Sequence, residues 1–248
     1  DSRPAANWRV AGLGDFNGDG YGDILWHDLR TGNLCYWLMS ATTVRDKRCN
    51  FWINAGQTVR AIGDFDGDGR FDVLFSDNSR VYMRLGGADA GTGSTYVAEH
   101  PQGWAIAGAG DVDGDGKADV FWHNGATGEP YVWFMAGQVV KGGLLGPRLP
   151  LGATPRMVGD FNGDQRADAM FADNNQVRIL LASGNALTDT AVGPPPAGWG
   201  VVMERPTKRA ALIRADIDAN GQSDVVLHNA ASGRITHWRM SGTTRTAV

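Results

Sequence analysis

The acidic residues of this sequence are concentrated in a short loop pattern that occurs five times. The copies are DFNGDGYGD at Asp15, DFDGDGRFD at Asp64, DVDGDGKAD at Asp111, DFNGDQRAD at Asp160 and DIDANGQSD at Asp216. Asp or Asn occupies positions 1, 3 and 5 of every copy, and Asp occupies position 9. Hard oxygen donors in a flexible loop suit Ca²⁺, which takes roughly six to eight oxygen ligands. The pattern therefore predicts up to five Ca²⁺ sites with a structural role.

The predicted ligands are the side chains at positions 1, 3, 5 and 9 and the backbone carbonyl at position 7. Copy by copy, they are Asp15, Asn17, Asp19, Tyr21 and Asp23; Asp64, Asp66, Asp68, Arg70 and Asp72; Asp111, Asp113, Asp115, Lys117 and Asp119; Asp160, Asn162, Asp164, Arg166 and Asp168; and Asp216, Asp218, Asn220, Gln222 and Asp224. Position 12 is an apolar residue in every copy, so these loops are not EF-hands, which need Glu there.

Turns that merely cap hairpins are the alternative interpretation of Asp/Asn/Gly loops. Five copies in register, each with an acid at position 9, favour calcium over that alternative. The copies are unequal, because Gln165 replaces the Gly at position 6 of copy 4 and Ala219 occupies position 4 of copy 5. Since Gly lets the chain wrap tightly at these positions, we expect weaker binding at copies 4 and 5.

The segments that flank the loop repeat as well. Runs of small residues such as Ala107-Gly108-Ala109-Gly110 precede the loops, and a short apolar strand such as Val73-Leu74-Phe75 follows each loop. A further hairpin follows in each unit, and no segment shows convincing helical periodicity. About four strands in a unit of about 50 residues are typical of a β-propeller blade.

We therefore predict an all-β chain that folds as a five-bladed β-propeller, with about four antiparallel strands in each blade. The prediction treats residues 1–248 as a single domain. Its repeats cover approximately residues 8–56, 57–103, 104–151, 152–198 and 199–248. The alternative is that the chain is a fragment of a larger propeller.

The repeats alternate between two types. Copies 1, 3 and 5 carry a His after the second strand and a Trp ten residues later, whereas copies 2 and 4 have shorter hairpins without them. These residues are His27 and Trp37, His123 and Trp133, and His228 and Trp238. Packing between blades is one interpretation of the alternation. The other is three equivalent sugar sites, since aromatic faces stack on sugar rings and polar groups bind hydroxyls.

The two cysteines, Cys35 and Cys49, flank the segment Ala41-Thr42-Thr43, which looks like a hairpin turn. If that turn spans three residues, the cysteines lie opposite each other on paired strands and within disulfide range. A disulfide implies an oxidising compartment, and therefore an extracellular, cell-surface or periplasmic location. The alternative is two reduced thiols in the core.

Composition excludes several classes of function. No apolar run reaches about 18 residues, so no membrane span is predicted. The net charge of −4 comes from acids that lie mainly in the five loops, and no Arg/Lys-rich tract indicates nucleic-acid binding. The residues preceding the first repeat lack the pattern of a signal peptide, so we expect that any such peptide has been removed or was never included.

The loop and its flanks, from Gly14-Asp15-Phe16-Asn17 through Leu25-Trp26, resemble the FG-GAP/VCBS repeat family. The resemblance covers all five copies and implies blades like those of integrin-α propellers, with one calcium loop in each blade. Some secreted propellers of this kind are lectins, and others are non-catalytic modules of hydrolases or adhesins. We therefore expect a non-catalytic, multivalent glycan-binding lectin, with a protein-binding or adhesion module as the alternative.

Overall fold

A computed structural model of the chain shows five small antiparallel sheets arranged as the blades of a β-propeller. The structure describes residues 7–54, 56–77, 79–87, 93–173, 176–197, 199–201, 217 and 220–247. Every regular element in these residues is a strand. The predicted all-β, five-bladed fold is therefore confirmed.

Each blade contains four consecutive strands that pair in sequence order. Blade 1 consists of β1 (Trp8–Gly14), β2 (Asp23–Asp28), β3 (Asn33–Ser40) and β4 (Thr43–Trp52). Blade 2 consists of β5 (Thr58–Gly63), β6 (Asp72–Ser76), β7 (Arg80–Arg84) and β8 (Thr95–Glu99). Blade 3 consists of β9 (Ala105–Gly110), β10 (Asp119–Asn124), β11 (Glu129–Ala136) and β12 (Val139–Leu145).

The last two blades repeat the same order. Blade 4 consists of β13 (Thr154–Gly159), β14 (Asp168–Ala172), β15 (Val177–Ala182) and β16 (Leu187–Gly193). Blade 5 consists of β17 (Trp199–Val201), β18 (Val225–Asn229), β19 (Ile235–Ser241) and β20 (Thr244–Ala247). In blades 1 to 4 the acidic loop connects the first strand to the second, so these loops occupy one end of the propeller.

The first strands of blades 1 to 4 contact one another in turn around the propeller axis, where the chain needs small residues. A Cβ atom on Gly14 would lie 2.2 Å from the ring of Phe71 in the next blade. The same close approach occurs at Gly63, where a Cβ would lie 2.7 Å from that of Ala118. The small residues before each loop are therefore required by the packing of one blade on the next.

The core lies between the blades. Four clusters of buried apolar side chains each combine residues of two consecutive blades. The second strands of blades 2 to 4 are the most deeply buried elements, and all five residues of β6 and of β14 are buried. In blades 2 to 4 the second strand is an apolar run because both of its faces contact another blade.

The two blade types of the sequence differ in the hairpin between their second and third strands. In blade 1, His27 pairs with Leu34, seven residues later. In blade 2, Ser76 pairs with Val81, only five residues later. Blades 1, 3 and 5 are called long-hairpin blades below, and blades 2 and 4 are called short-hairpin blades.

Cys35 and Cys49 form a disulfide bond across the β3–β4 hairpin. The predicted three-residue turn is wrong, because Ser40 pairs with Thr43 and the turn contains only Ala41 and Thr42. Irregularities in the register between Leu34 and Tyr36 and between Leu38 and Met39 change which residues face each other. The cysteines meet because these bulges offset the shorter turn, which spacing alone could not reveal.

Candidate metal-binding site

The carboxylate at position 1 organises each described loop. In blade 2, Asp64 accepts hydrogen bonds from the backbone N–H groups of Gly67 (2.7 Å) and Gly69 (2.8 Å). The position 1 residues Asp15, Asp111 and Asp160 accept the corresponding N–H groups at 2.6–2.8 Å. The loop therefore wraps around its first carboxylate through its own hydrogen bonds, without the help of an ion.

Glycine at positions 4 and 6 makes this wrapping possible in most copies. Gly67 and Gly69 have φ values of 81° and 85°, in the left-handed region. Gln165 takes the position 6 conformation in blade 4 with φ of 69°, and its N–H still donates to Asp160 at 2.8 Å. The substitution predicted to weaken copy 4 therefore keeps the loop geometry at the expense of backbone strain.

The position 9 carboxylates are completely buried and hold each loop against its own blade. Asp72 accepts one hydrogen bond from the N–H of Phe65 (2.8 Å) and another from the N–H of Gly86 (2.6 Å), after the third strand. Asp23, Asp119, Asp168 and Asp224 make the same pair of contacts at 2.8–3.0 Å. Because a carboxylate oxygen has two lone pairs, each can accept an N–H and still face a cation.

The sequence pattern predicts only a metal-ligand role for position 9, so this clamping role is a finding of the structure. One signal in the sequence does point to it. Asn replaces Asp in two copies at position 3 and in one copy at position 5, whereas position 9 is Asp in all five copies and is followed directly by a buried strand. A side chain that must accept hydrogen bonds at both oxygens cannot be replaced by an amide, which has only one accepting oxygen.

Burial makes the position 9 carboxylates poor acids in the metal-free protein. Loss of hydration raises the pKa of Asp72 to about 8, although the N–H groups of Gly86 and Phe65 oppose the shift. The same cause raises the pKa of Asp119 and of Asp168 to about 7 and that of Asp23 to about 6. A bound cation would favour the charged form of each group, so metal and proton compete here.

Carboxylate groups converge most closely in blades 2 and 3. Ligand atoms of Asp64, Asp66 and Asp72 all lie within 4.8 Å of one another. The same holds for Asp111, Asp113 and Asp115 in blade 3. These two loops carry Asp at every one of positions 1, 3, 5 and 9, as the sequence indicated.

A lysine shares the acidic cluster of blade 3. The ammonium group of Lys141 lies 3.1 Å from a carboxylate oxygen of Asp113 and also donates to Asp115. Although burial raises the pKa of Asp115, the hydrogen bond from Lys141 is among the contacts that hold it below its usual value. Lys141 therefore occupies the side of the loop from which a cation would contact these two residues.

The asparagine-containing loops are arranged differently. In blade 1 the amide of Asn17 donates to Asp19 at 3.0 Å, and in blade 4 that of Asn162 donates to Asp164 at 3.1 Å. In blade 5, Asn220 donates to the carbonyl of Met240 at 2.9 Å. Asp216 and Asp218, the predicted ligands at positions 1 and 3 of that copy, lie outside the described residues.

Position 7, predicted to offer its backbone carbonyl, also supplies a backbone N–H and a side chain. In every described loop the N–H of this residue donates to the side chain at position 5, at 2.8–2.9 Å. In copies 2 to 5 its side chain reaches the preceding blade; Arg166, for example, lies about 3 Å from where a Cβ on Gly114 would be. The residues at this position are Tyr21, Arg70, Lys117, Arg166 and Gln222.

Backbone hydrogen bonds join each described loop to the next. The N–H of Phe71, at position 8 of copy 2, donates to the carbonyl of Asp15 at 2.8 Å. The equivalent bonds from Ala118, Ala167 and Ser223 reach Asp64, Asp111 and Asp160 at 2.5–2.7 Å. The residue that leads each loop therefore also binds the following blade.

The structure does not bring the predicted His and Trp residues of one blade together. Trp37 pairs with Ile24, whereas His27 lies three residues further along the same strand and so points to the opposite face. The same register separates His123 from Trp133 in blade 3.

The six residues also differ in accessibility. His27 and His123 are buried, Trp238 is completely buried, and Trp37 and Trp133 are half-buried. His228 is exposed. Trp122, predicted to be core, is buried, while Trp26 is half-buried. A sugar-binding role for the six residues stays a prediction, and only the accessible ones are available for it without a change in packing.

Comparison with protein families identifies the repeat. Residues 64–122 match the model of the FG-GAP-like repeat family. This segment begins with the loop of blade 2 and extends through the loop of blade 3 into β10. No curated protein matches the chain. The chain is therefore a five-bladed propeller that carries an FG-GAP-like repeat.

Similar solved structures are propellers of low sequence identity. A lectin of Agrocybe aegerita that recognises non-reducing terminal N-acetylglucosamine superposes with a TM-score of 0.65 at 17% identity, over 98% of this chain and 67% of the lectin chain. A virginiamycin B lyase of Staphylococcus aureus gives 0.55 at 13% identity, over 97% and 73% of the two chains. A Tc holotoxin of Photorhabdus luminescens gives 0.51 at 15% identity, over 97% of this chain and 14% of the toxin chain.

These similarities show the fold alone. A lectin and a lyase share it, so the fold does not choose between binding and catalysis. In the described residues, no helix is long and apolar enough to cross a membrane.

Proposed function

We propose that this chain is a secreted, non-catalytic binding propeller that holds Ca²⁺ in its acidic loops and recognises glycans. The convergence of three carboxylates in blade 2 and again in blade 3 is the observation that carries the metal proposal. We assign the ligands to positions 1, 3, 5 and 9, with the position 7 carbonyl, in each copy of the loop.

Two features of the loop support a cation over a simple turn. The loop brings several carboxylates together at the surface end of each blade, where their charges repel one another in the absence of a cation. The raised pKa values of Asp72 and Asp119 show that burial disfavours the charge at position 9. A divalent cation relieves both effects at once, and an all-oxygen set of ligands favours Ca²⁺.

The proposed role of calcium is structural. The position 9 carboxylates bind the third strand of their own blade, and the position 1 carbonyls bind the next blade. An ion that fixes both residues stabilises the fold by mass action, by about 1.4 kcal/mol at a calcium concentration tenfold above Kd.

Isothermal titration of metal-free protein with CaCl₂, with MgCl₂ as the matched control, tests this part. We expect calcium to bind and to raise the melting temperature, with magnesium much weaker. Since Mg²⁺ demands near-ideal octahedral geometry and loses water reluctantly, a flexible carboxylate loop favours the larger ion. Unchanged melting in millimolar calcium would contradict the metal proposal.

The glycan proposal is supported by the repeated aromatic positions and by the fold shared with a lectin. Trp37 and Trp133 are half-buried and occupy equivalent positions on blades 1 and 3. An indole that keeps part of its surface accessible can stack on a sugar ring. Sites repeated on one rigid propeller gain avidity on a glycan-coated surface.

A glycan array probed in millimolar calcium, and again after chelation, tests the glycan part. We expect binding to a narrow class of sugars, and recovery of the bound glycan with unchanged mass, since the proposed function is non-catalytic. A folded protein that binds no arrayed glycan would contradict the glycan proposal and favour a protein partner instead. A shortened glycan would contradict the non-catalytic part.

The proposed secreted location is supported by the Cys35–Cys49 disulfide, since such bonds persist in oxidising compartments. A periplasmic location satisfies the same requirement. Detection of the oxidised protein in the culture medium, in the periplasm or on the cell surface of its source would support the proposal. A cytoplasmic protein with both thiols reduced would contradict it.

A further inference from the structure

The contacts between consecutive blades follow one rule. The face of a blade that contacts the preceding blade is called its leading face, and the face that contacts the next blade is called its trailing face. Four apolar clusters join blades 1 and 2, 2 and 3, 3 and 4, and 4 and 5. Each cluster therefore joins one long-hairpin blade to one short-hairpin blade.

The side chains at these contacts differ with blade type. On the trailing face of long-hairpin blade 3, His123 packs against Phe171 of blade 4, with ring centroids 5.1 Å apart. On the trailing faces of the short-hairpin blades, the same position holds the smaller residues Ser76 and Ala172. The bulkier indole of Trp122, on the leading face of long-hairpin blade 3, lies in the cluster shared with short-hairpin blade 2.

Blade 1 presents the leading face of a long-hairpin blade without a comparable cover. Each of its residues lies 96 positions before its equivalent in blade 3. In blade 3, Val120 and Met135 are 0% exposed and Trp122 is 1% exposed. The equivalents in blade 1 are all half-buried, and they are Ile24, Met39 and Trp26.

A cavity of about 160 Å³ lies on this leading face of blade 1. Its lining consists of the indoles and the disulfide, namely Trp8, Trp26, Cys35, Trp37 and Cys49. In blade 3 the equivalent tryptophans Trp104, Trp122 and Trp133 belong to the cluster that blade 2 completes. In blade 3 these tryptophans are covered by side chains of blade 2. The cavity marks the absence of equivalent side chains over the tryptophans of blade 1.

The trailing face of blade 5 is also exposed where the equivalent faces of blades 1 and 3 are buried. His228 is exposed, whereas the equivalent His27 and His123 are 4% and 5% exposed. Ile235 is 71% exposed, whereas the equivalent Leu34 is 0% exposed. Among the described residues, no apolar cluster joins blade 5 to blade 1.

We propose that the leading face of blade 1 and the trailing face of blade 5 together form a docking surface for one further blade of the short-hairpin type, linked covalently to this propeller. Blades 5 and 1 are both of the long-hairpin type, so direct contact between them would break the rule that the four other contacts obey. One short-hairpin blade restores the alternation at both faces.

Size and linkage support this occupant. A short-hairpin blade presents a small residue like Ser76 or Ala172 toward the tryptophans of blade 1. It presents an aromatic residue like Phe171 toward His228 of blade 5. A covalently linked blade docks at high effective concentration, whereas a separate chain must overcome the entropy of association.

Hydroxyl-radical footprinting of the 248-residue protein in saturating calcium provides the first test. Matched pairs in one molecule serve as internal controls, since Met39 is equivalent to Met135 and Trp26 to Trp122. We expect Met39 and Trp26 to be oxidised several-fold faster than their partners at low protein concentration. Equal protection within both pairs would overturn the proposal, because the face would already be covered. Protection that grows with protein concentration would also overturn it, because a second copy would be the occupant.

Grafted blades provide the second test. By repeat alignment Val248 corresponds to Gly143, so residues 144–198 can follow Val248 in register and add a copy of short-hairpin blade 4. The matched control adds residues 144–151 followed by 103–151, a copy of long-hairpin blade 3 in the same register. We expect the first fusion to slow oxidation of Met39 and Trp26 to the rates of Met135 and Trp122, and the control to leave them fast. Equal protection by both grafts, or by neither in fusions shown to be folded by circular dichroism, would overturn the proposal.

Discussion

Replacing the buried carboxylate at position 9 separates the two roles assigned to it. In the variant Asp72→Asn, the amide oxygen can accept only one of the two hydrogen bonds from Phe65 and Gly86. The amide nitrogen faces the other N–H, and it has no lone pair available to accept. Even a protonated carboxyl retains an accepting lone pair on each oxygen, so the variant is worse than the metal-free wild type.

The expected magnitude follows from burial. Asp72 is 0% exposed, so a donor left without a partner there costs about 1–3 kcal/mol. For a chain of this size, each kcal/mol lowers the melting temperature by roughly 2–4 °C, so a loss of about 2–12 °C is expected in chelator. Urea unfolding followed by circular dichroism in EDTA measures the loss directly.

Position 5 of the same loop supplies the matched control. Asp68 accepts the backbone N–H of Arg70 at 2.8 Å and forms an exposed ion pair with the Arg70 guanidinium at 3.5 Å. Copy 5 already has Asn220 at this position, which accepts from Gln222 at 2.8 Å. Asp68→Asn should therefore change stability in chelator by less than about 0.5 kcal/mol, as surface substitutions do. In calcium it should lose part of the stabilisation that the ion provides. If Asp72→Asn is as stable as the wild type in EDTA, or if Asp68→Asn is equally destabilised there, position 9 is not a structural clamp.

Three further predictions follow from the same loops. In EDTA the pKa of Asp72 is raised to about 8 and that of Asp23 to about 6, so protonation of these groups favours folding. The free energy of unfolding should therefore be greatest near pH 4 and fall as the pH rises through 6–8. Urea unfolding across this range measures it, and a free energy of unfolding that rises with pH would contradict the prediction. Lys141→Met should increase calcium affinity at copy 3, because it removes a cation that competes for Asp113, and unchanged titration isotherms would contradict the competition. Gln165→Gly should stabilise the metal-free protein by about 1 kcal/mol through relief of a φ of 69°, measured by urea unfolding against Gln138→Gly as a control for added glycine.

The sequence predicts the fold well because the repeat is a local signal. Five loops in register, each followed by an apolar strand such as Val73-Leu74-Phe75, fix the number of blades and the order of strands. Gly14 and its equivalents also predict the crowded inner strand. The turn at Ala41-Thr42 was misjudged because β-bulges change the register without any marked signal in the residues.

The acidic loops could be predicted, whereas the ligand-binding residues could not be placed. The loop is contained in nine consecutive residues, so its side chains converge whatever the rest of the chain does. The proposed partnership of His27 and Trp37 depends instead on cross-strand register, which places them on opposite faces of one sheet. The accessibility of Trp37 further depends on the neighbouring blade, and repeat patterns alone do not show which faces are covered.

The clamps and the links between loops would connect a bound calcium ion to the packing of neighbouring blades. At position 1, the carboxylate of Asp64 holds its own loop, and its carbonyl accepts the N–H of Ala118 from the next blade. At position 9, the carboxylate of Asp72 fixes the third strand of its own blade through Gly86. An ion bound to both carboxylates therefore restrains the contact within the blade and the contact between blades together. Since proteins built of repeats gain much of their stability from contacts between neighbours, the effect of each ion should extend to the adjoining blade rather than remain in its loop.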